Sequence, residues 1–187
     1  ANQVTIIHER FPLDKDKDVS LTCLPLAHVF ERMAVHYHLA AGVRLVFAEN
    51  IHAVADSLRE QNASVITVVP RLLEKIIEAV EASSKNGNRF QRLLVGVALR
   101  EAVKPPSLLR APLRALCDAL VYSRIRALMG GRLRLVVSGG AALSGRLERT
   151  FASFRVPLYQ GYGLTEHSPV IAANYPGHSR NHSVGPL

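Results

Sequence analysis

The chain has 187 residues, 48% of them hydrophobic, enough for one domain with a substantial core, and its lysines and arginines outnumber its acids to give a formal net charge of +8. No apolar run approaches membrane-spanning length, and no charged, apolar and small-residue leader is expected from these residues. The two cysteines, Cys23 and Cys117, sit in apolar contexts that read as buried thiols of a reducing compartment, so a disulfide finds little support and a cytoplasmic location is expected.

In chain order, residues 19–24 read as a strand and 28–41 as a helix with apolar positions at Met33, Val35, Tyr37 and Leu39. Residues 43–48 return as a strand, 51–61 as an amphipathic helix and 64–69 as a β-branched run. Pro70 is placed to open the next helix, 71–82, in which Leu72, Leu73, Ile76, Ile77 and Val80 fall at helical spacing. Such alternation predicts an α/β fold with a mostly parallel sheet flanked by helices. A loop is expected at 83–88, followed by helical and basic sequence.

Between Lys104 and Arg134 lie Lys104, Arg110, Arg114, Arg124, Arg126, Arg132 and Arg134 against the single acid Asp118. Three readings compete for this stretch: a solvated helix face, a surface for anionic lipid or for ligand phosphates, and a nucleic-acid surface. The last is disfavoured because no base-stacking aromatics accompany the charge.

Arg134-Leu135-Val136-Val137 is then a short strand opening into the small-residue loop Ser138-Gly139-Gly140-Ala141-Ala142-Leu143. At the carboxyl end of a strand in an open α/β sheet, such a loop lets backbone groups approach a ligand. Residues 155–159 form another short strand leading to Tyr159-Gln160-Gly161-Tyr162-Gly163-Leu164-Thr165-Glu166. That segment is open to two readings, a tight surface turn or a nucleotide and metal site. In the second, Tyr162 stacks on a purine, Thr165 bonds a phosphate oxygen and Glu166 gives Mg²⁺ a hard oxygen. His28, after a proline turn at a strand end, is likewise a cap or structural hydrogen-bonding group, or else a functional imidazole. His36 and His38 are two apart on the expected helix and do not share a face, so no transition-metal site is expected.

The two loops in this order resemble the adenine loop and the tyrosine-glycine-x-threonine-glutamate motif of adenylate-forming enzymes, the superfamily of acyl-CoA synthetases, luciferases and peptide-synthetase adenylation domains. Leu24-Pro25-Leu26-Ala27-His28-Val29-Phe30-Glu31-Arg32 is similar to the family segment beside the acyl pocket, and residues 118–134 most resemble long-chain fatty acid CoA ligases. The resemblance runs from about Val19 to Leu187. It implies ATP, Mg²⁺ and coenzyme A as reaction partners of a long-chain fatty acid. His28, Thr165 and Glu166 are then catalytic, Glu166 is the metal ligand, and Gly139, Gly140, Ala141, Gln160, Gly161, Tyr162, Gly163 and Thr165 bind the nucleotide. The helix after His28 and residues 65–70 would wall an acyl tunnel.

The same resemblance places a phosphate loop upstream, and a ribose-binding aspartate and a lysine-bearing lid domain downstream. Residues 1–187 are therefore expected to be a partial AMP-binding domain, cut at both ends and inactive alone. The motifs equally suit an acyl-AMP ligase that serves a carrier protein. A non-enzymatic basic module binding nucleic acid or membrane is the reading from another class, and the basic stretch 104–134 is the candidate peripheral membrane contact. Acyl chain length and oligomeric state are not read from the sequence.

Overall fold

A computed structural model describes residues 2–85, 88–104 and 107–186. Part of the loop expected at 83–88, residues 86 and 87, lies outside the described residues. The element order is α1 (Asn2–Arg10), β1 (Val19–Thr22), α2 (Val29–Ala40), β2 (Arg44–Phe47), α3 (Val54–Glu60), β3 (Val65–Val68), α4 (Pro70–Lys85), α5 (Arg89–Ala102), α6 (Ala111–Cys117), α7 (Ser123–Leu128), β4 (Leu135–Ser138), α8 (Gly145–Ser153), β5 (Leu158–Gly163) and β6 (Val170–Ala173). A π-helical turn, Asp118–Tyr122, joins α6 to α7.

The six strands lie in the order β2-β1-β3-β4-β5-β6, parallel from β2 through β5 and antiparallel at β5–β6. The expected α/β architecture is thus present. Because side chains alternate across a strand, each strand feeds two cores. Ile66, Val68 and Val136 face one side with Leu58, Leu72, Leu73, Tyr122, Phe151 and Phe154, the larger core. Val65 and Leu135 face the other side, where Ile7, Phe11 and Tyr37 of the α1–α2 region pack. β1 and β3 are neighbours although α2, β2 and α3 intervene, so the strand order reverses between them. Ligands of doubly wound sheets gather outside the carboxyl ends of the strands at such a point.

The loop expected at 83–88 is shorter, because α4 runs on through Lys85 with the Ser84 hydroxyl donating to the Glu81 carbonyl, and the other elements depart from the expected ones in three ways. α1 and α8 are helices where no element was expected. The strand expected at 155–159 begins instead at Leu158, because Arg155 takes a left-handed backbone (φ 57°) that ends the preceding turn. Third, the segment from Tyr159 is no turn. It continues as β5 through Gly163 because β6 pairs with it, and chain reversal waits for the single 3-10 turn Thr165–His167.

The basic stretch is dispersed by its own partners. Lys104 pairs with Glu101 at 2.6 Å, Arg114 donates to the Lys104 carbonyl at 2.6 Å, and Arg126 reaches Asp118 at 2.6 Å and the Phe154 carbonyl at 2.9 Å. Arg134 leaves the stretch altogether: its Nε donates to Asp18 at 2.7 Å, far upstream. Asp18 is buried and also accepts from the Ser64 hydroxyl at 2.7 Å and from the Asp14 amide at 2.8 Å. Burial opposes its charge, yet the Arg134 guanidinium and these donors hold the carboxyl down at about 2. This cluster ties together the amino-terminal ends of β1, β3 and β4.

Candidate functional site

A largely apolar cavity of about 700 Å³ opens between α2 and the carboxyl ends of β1, β3, β4 and β5. Its walls follow from the strand alternation. Val65, Thr67 and Val69 line it from β3 and its exit, Leu135, Val137 and Gly139 from β4 and its exit, and Gly161 and Gly163 from β5. α2 supplies Phe30, Met33, Ala34 and Tyr37, and Ile7 and Phe11 come from α1 and the residue after it. The Tyr37 hydroxyl donates to the Phe11 carbonyl, which fixes α2 to that segment.

Of the residues singled out in the sequence, His28, Gly139, Gly140, Gly161, Tyr162, Gly163, Thr165 and Glu166 all line this one cavity. Ala141 and Gln160 do not. Ala141 is exposed on the loop beyond the lining, and Gln160 is buried on the opposite face of β5, as alternation from Gly161 requires. Tyr162 would share that opposite face in a regular strand. A register irregularity between Tyr162 and Gly163 brings it to the lining, half exposed.

Gly163 is sterically required here, and Gly139 is in tight contact. A Cβ on Gly163 would stand 1.9 Å from the Pro169 carbonyl oxygen, and one on Gly139 would stand 3.0 Å from the Phe30 ring. Gly140 has φ 77°, a left-handed conformation that few side chains tolerate. The small-residue loop is therefore shaped by close approach. Thr165 and Glu166, in the 3-10 turn after β5, are both exposed at the cavity edge.

His28 is the N-cap residue of α2, with an extended backbone (φ −81°, ψ 130°), and its side chain makes no capping hydrogen bond. The capping reading is thereby corrected, since the exposed imidazole is not spent on its own helix. His38 points instead at the sheet. Its Nδ1 lies 2.9 Å from the Ser20 hydroxyl, and burial pulls its pKa down to about 4, so it is neutral near pH 7. His36 is exposed, so the two histidines occupy different faces as their spacing requires. Cys117 is buried and Cys23 half-buried, both are free, and desolvation with the nearby Glu31 charge pushes the Cys23 thiol up to about 12. Sequence reasoning missed Glu31, Thr67 and the contribution of α1. Nothing in the local pattern marks Glu31, a charge at a helical position that the sheet happens to cover.

A mostly parallel doubly wound sheet, with glycine loops and a Thr-Glu turn gathered at one crevice, is the arrangement of a nucleotide-handling α/β enzyme, and the chain belongs to the AMP-binding enzyme family, whose profile matches residues 1–187. It is 34% identical over 161 residues to the long-chain-fatty-acid–CoA ligase FadD15 of Mycobacterium bovis, covering 81% of this chain and 26% of that protein. To long chain acyl-CoA synthetase 1 of Arabidopsis thaliana it is 31% identical over 166 residues, covering 85% of this chain and 25% of the other. The chain thus spans about a quarter of the length of the curated relatives it matches.

Solved structures share the fold at low identity. One is an O-succinylbenzoate coenzyme A synthetase of Bacillus subtilis in complex with ATP and magnesium ion (TM-score 0.64, 18% identity, 98% of this chain and 30% of that one). Another is a long-chain-fatty-acid-CoA ligase of Archaeoglobus fulgidus (TM-score 0.62, 16% identity, 94% and 29%). Among the described residues, no helix is long and apolar enough to cross a membrane.

Proposed function

We propose that this chain is the central part of the adenylating domain of a long-chain fatty acid CoA ligase. The observation that carries the reading is the convergence of His28, the Gly139–Gly140 loop and residues 161–166 on one apolar cavity at the reversal of strand order. The names of the relatives support the substrate class. An apolar wall of Met33, Ala34, Val65 and Val137 suits an alkyl chain, since each buried methylene contributes about 0.8 kcal/mol. Residues 1–187 form a partial AMP-binding domain in this reading, with the phosphate loop and lid domain contributed by sequence outside it.

The chemistry joins two anions. A carboxylate oxygen of the fatty acid attacks the α-phosphorus of ATP, the bond to pyrophosphate breaks, and acyl-AMP forms; the CoA sulfur then displaces AMP to leave the thioester. Gly139, Gly140 and Gly163 give the nucleotide a surface free of side chains, and Tyr162 offers it an aromatic face. His28 orients the carboxylate and balances charge in the transition state. The Glu166 carboxylate is a hard oxygen donor at the cavity edge, a fit for Mg²⁺, which when bound would offset charge on the phosphates, and the Thr165 hydroxyl beside it would bond a phosphate oxygen.

A cytoplasmic location with peripheral contact to anionic lipid belongs to the same reading. Arg110 and Arg124 stay exposed, and Leu109, Leu113 and Leu116 lie exposed in the same helical stretch. ATP–pyrophosphate exchange with a panel of fatty acids tests the partition of the site. The 187 residues alone should bind long-chain fatty acid yet support no exchange. Robust exchange would show that the missing groups are not needed, and a folded chain that binds neither fatty acid nor Mg·ATP would overturn the assignment.

A further inference from the structure

α2 meets the sheet through a polar seam where an apolar one is the rule. Parallel strands covered on both faces are ordinarily apolar throughout. Here the α2 side of β1 and β3 carries Ser20, Thr22 and Thr67, all almost inaccessible, and α2 answers with Glu31 and His38, two turns apart on one face. His38 is accounted for by Ser20. Glu31 is different, because a carboxyl buried to 1% exposure is costly and burial pushes its pKa above the ordinary carboxylate range.

What Glu31 touches shows what the carboxyl holds. The Thr67 hydroxyl of β3 donates to Oε2. The amides of Cys23 and Leu24 and the Thr22 hydroxyl are near enough to favour the carboxylate, but Oε1 has no hydrogen-bond partner. Glu31 is the third residue of α2, so its bond to Thr67 pins the first helical turn, and with it the end of the β1–α2 loop, to β3. Its neighbour Phe30 lies against Gly139 of the glycine loop. His28, three residues before Glu31, stands at the end of the loop so held, with an imidazole its helix does not use.

We propose that Glu31 is a positioning residue, which fixes the direction in which His28 faces the cavity by anchoring the β1–α2 loop to β3. What His28 faces rests on the function proposed above; the anchoring does not. Thr67 is the second half of the device. An amide in place of the carboxylate would set its NH₂ against the donors around it, and removal of the Thr67 hydroxyl would release one anchor while leaving the carboxyl.

The test is ¹⁵N relaxation on the ligand-free 187-residue chain. In the wild type, the amides of Leu24 and of residues 26–30 should show order parameters near 0.85. In Glu31→Gln they should fall below about 0.6 while those of β3 and β4 stay unchanged, with Glu31→Asp restoring part of the order. An ordered 24–30 segment in folded Glu31→Gln overturns the proposal. Should that variant fail to fold, Thr67→Val decides alone, since an unchanged loop there overturns it equally.

Displacement of a fluorescent fatty acid forms the second arm. Loosening the loop should weaken binding about threefold or more and abolish the shift of the His28 ring resonance on adding fatty acid. Loop loosening in the variants together with no fatty-acid binding by the wild type would uphold the anchoring and overturn the cavity assignment instead.

Discussion

Asp18→Asn tests the strand-end cluster and its dependence on pH. In the native chain Asp18 titrates at about 2 instead of the ordinary 3.8. At about 1.4 kcal/mol per tenfold change in proton affinity, that difference amounts to roughly 2.5 kcal/mol of stability. Because the folded pKa is depressed, this contribution is fully present above about pH 4 and is lost as the pH falls through 2, where both states bind the proton. Asparagine removes the charge at every pH. It also leaves the Arg134 guanidinium, about half exposed, with solvent for a partner, which keeps the expected loss near the linkage value and below that of a fully buried pair. Urea unfolding of both proteins at pH 7 should differ by about 2 to 3 kcal/mol, or roughly 5 to 10 °C in melting temperature. The gap should narrow steadily from pH 4 to pH 2. A gap that stays constant over that range would mean that Asp18 is not held as a carboxylate by Arg134 and Ser64, and would refute the reasoning.

Three further outcomes are expected. Gly163→Ala places a methyl group on the Pro169 carbonyl oxygen, a backbone atom that no rotamer change can move, so Mg·ATP affinity by fluorescence titration should fall at least about tenfold; unchanged affinity would remove Gly163 from the nucleotide surface. Glu166→Gln should lower the Mg²⁺-dependent part of nucleotide binding by about tenfold. It should leave the melting temperature within about 2 °C, since the side chain is exposed, and a larger loss of stability would assign Glu166 to the fold. Cys23, whose thiol is pushed from 9.0 to about 12, should react with a disulfide reagent at pH 8 roughly a thousandfold more slowly in the native chain than in urea, and rapid native labelling would contradict its burial against Glu31.

Legibility from sequence tracked the range of the forces involved. β1 to β4 and α2 to α4 were readable because their own apolar spacing specifies them. α1 was not, since Val4, Ile7 and Phe11 find their meaning only against Tyr37, Tyr159 and Tyr175, well over a hundred positions away for the last two. α8 did carry a local signal. Ser144 caps it by accepting from the Leu147 amide, and Leu147, Thr150, Phe151 and Phe154 keep helical spacing, although the helix is short and follows directly on a glycine loop. Tyr159 to Gly163 has weak strand propensity and becomes a strand because β6 pairs with it, a tertiary effect. The positions of the site were legible as motifs, whereas Glu31 was not, because burying a charge is decided by what covers it. A count of basic residues likewise says nothing of partners such as Asp18.

The cavity draws one wall from residues 24–34, its floor in part from Val65, Thr67 and Val69 of β3 and its exit, and the facing wall from residues 135–170, with α4–α7 between β3 and that last wall in the chain. A chain emerging from the ribosome would present His28 and Glu31 early, beside β1 and β3, with nothing opposite. Only after β4 and β5 have added to the sheet does the space become enclosed, and these are long-range parallel pairings of the slow kind. Enclosure of the cavity is therefore a late event in the life of the molecule, and under the proposed function a bound fatty acid would report that the last strands have docked.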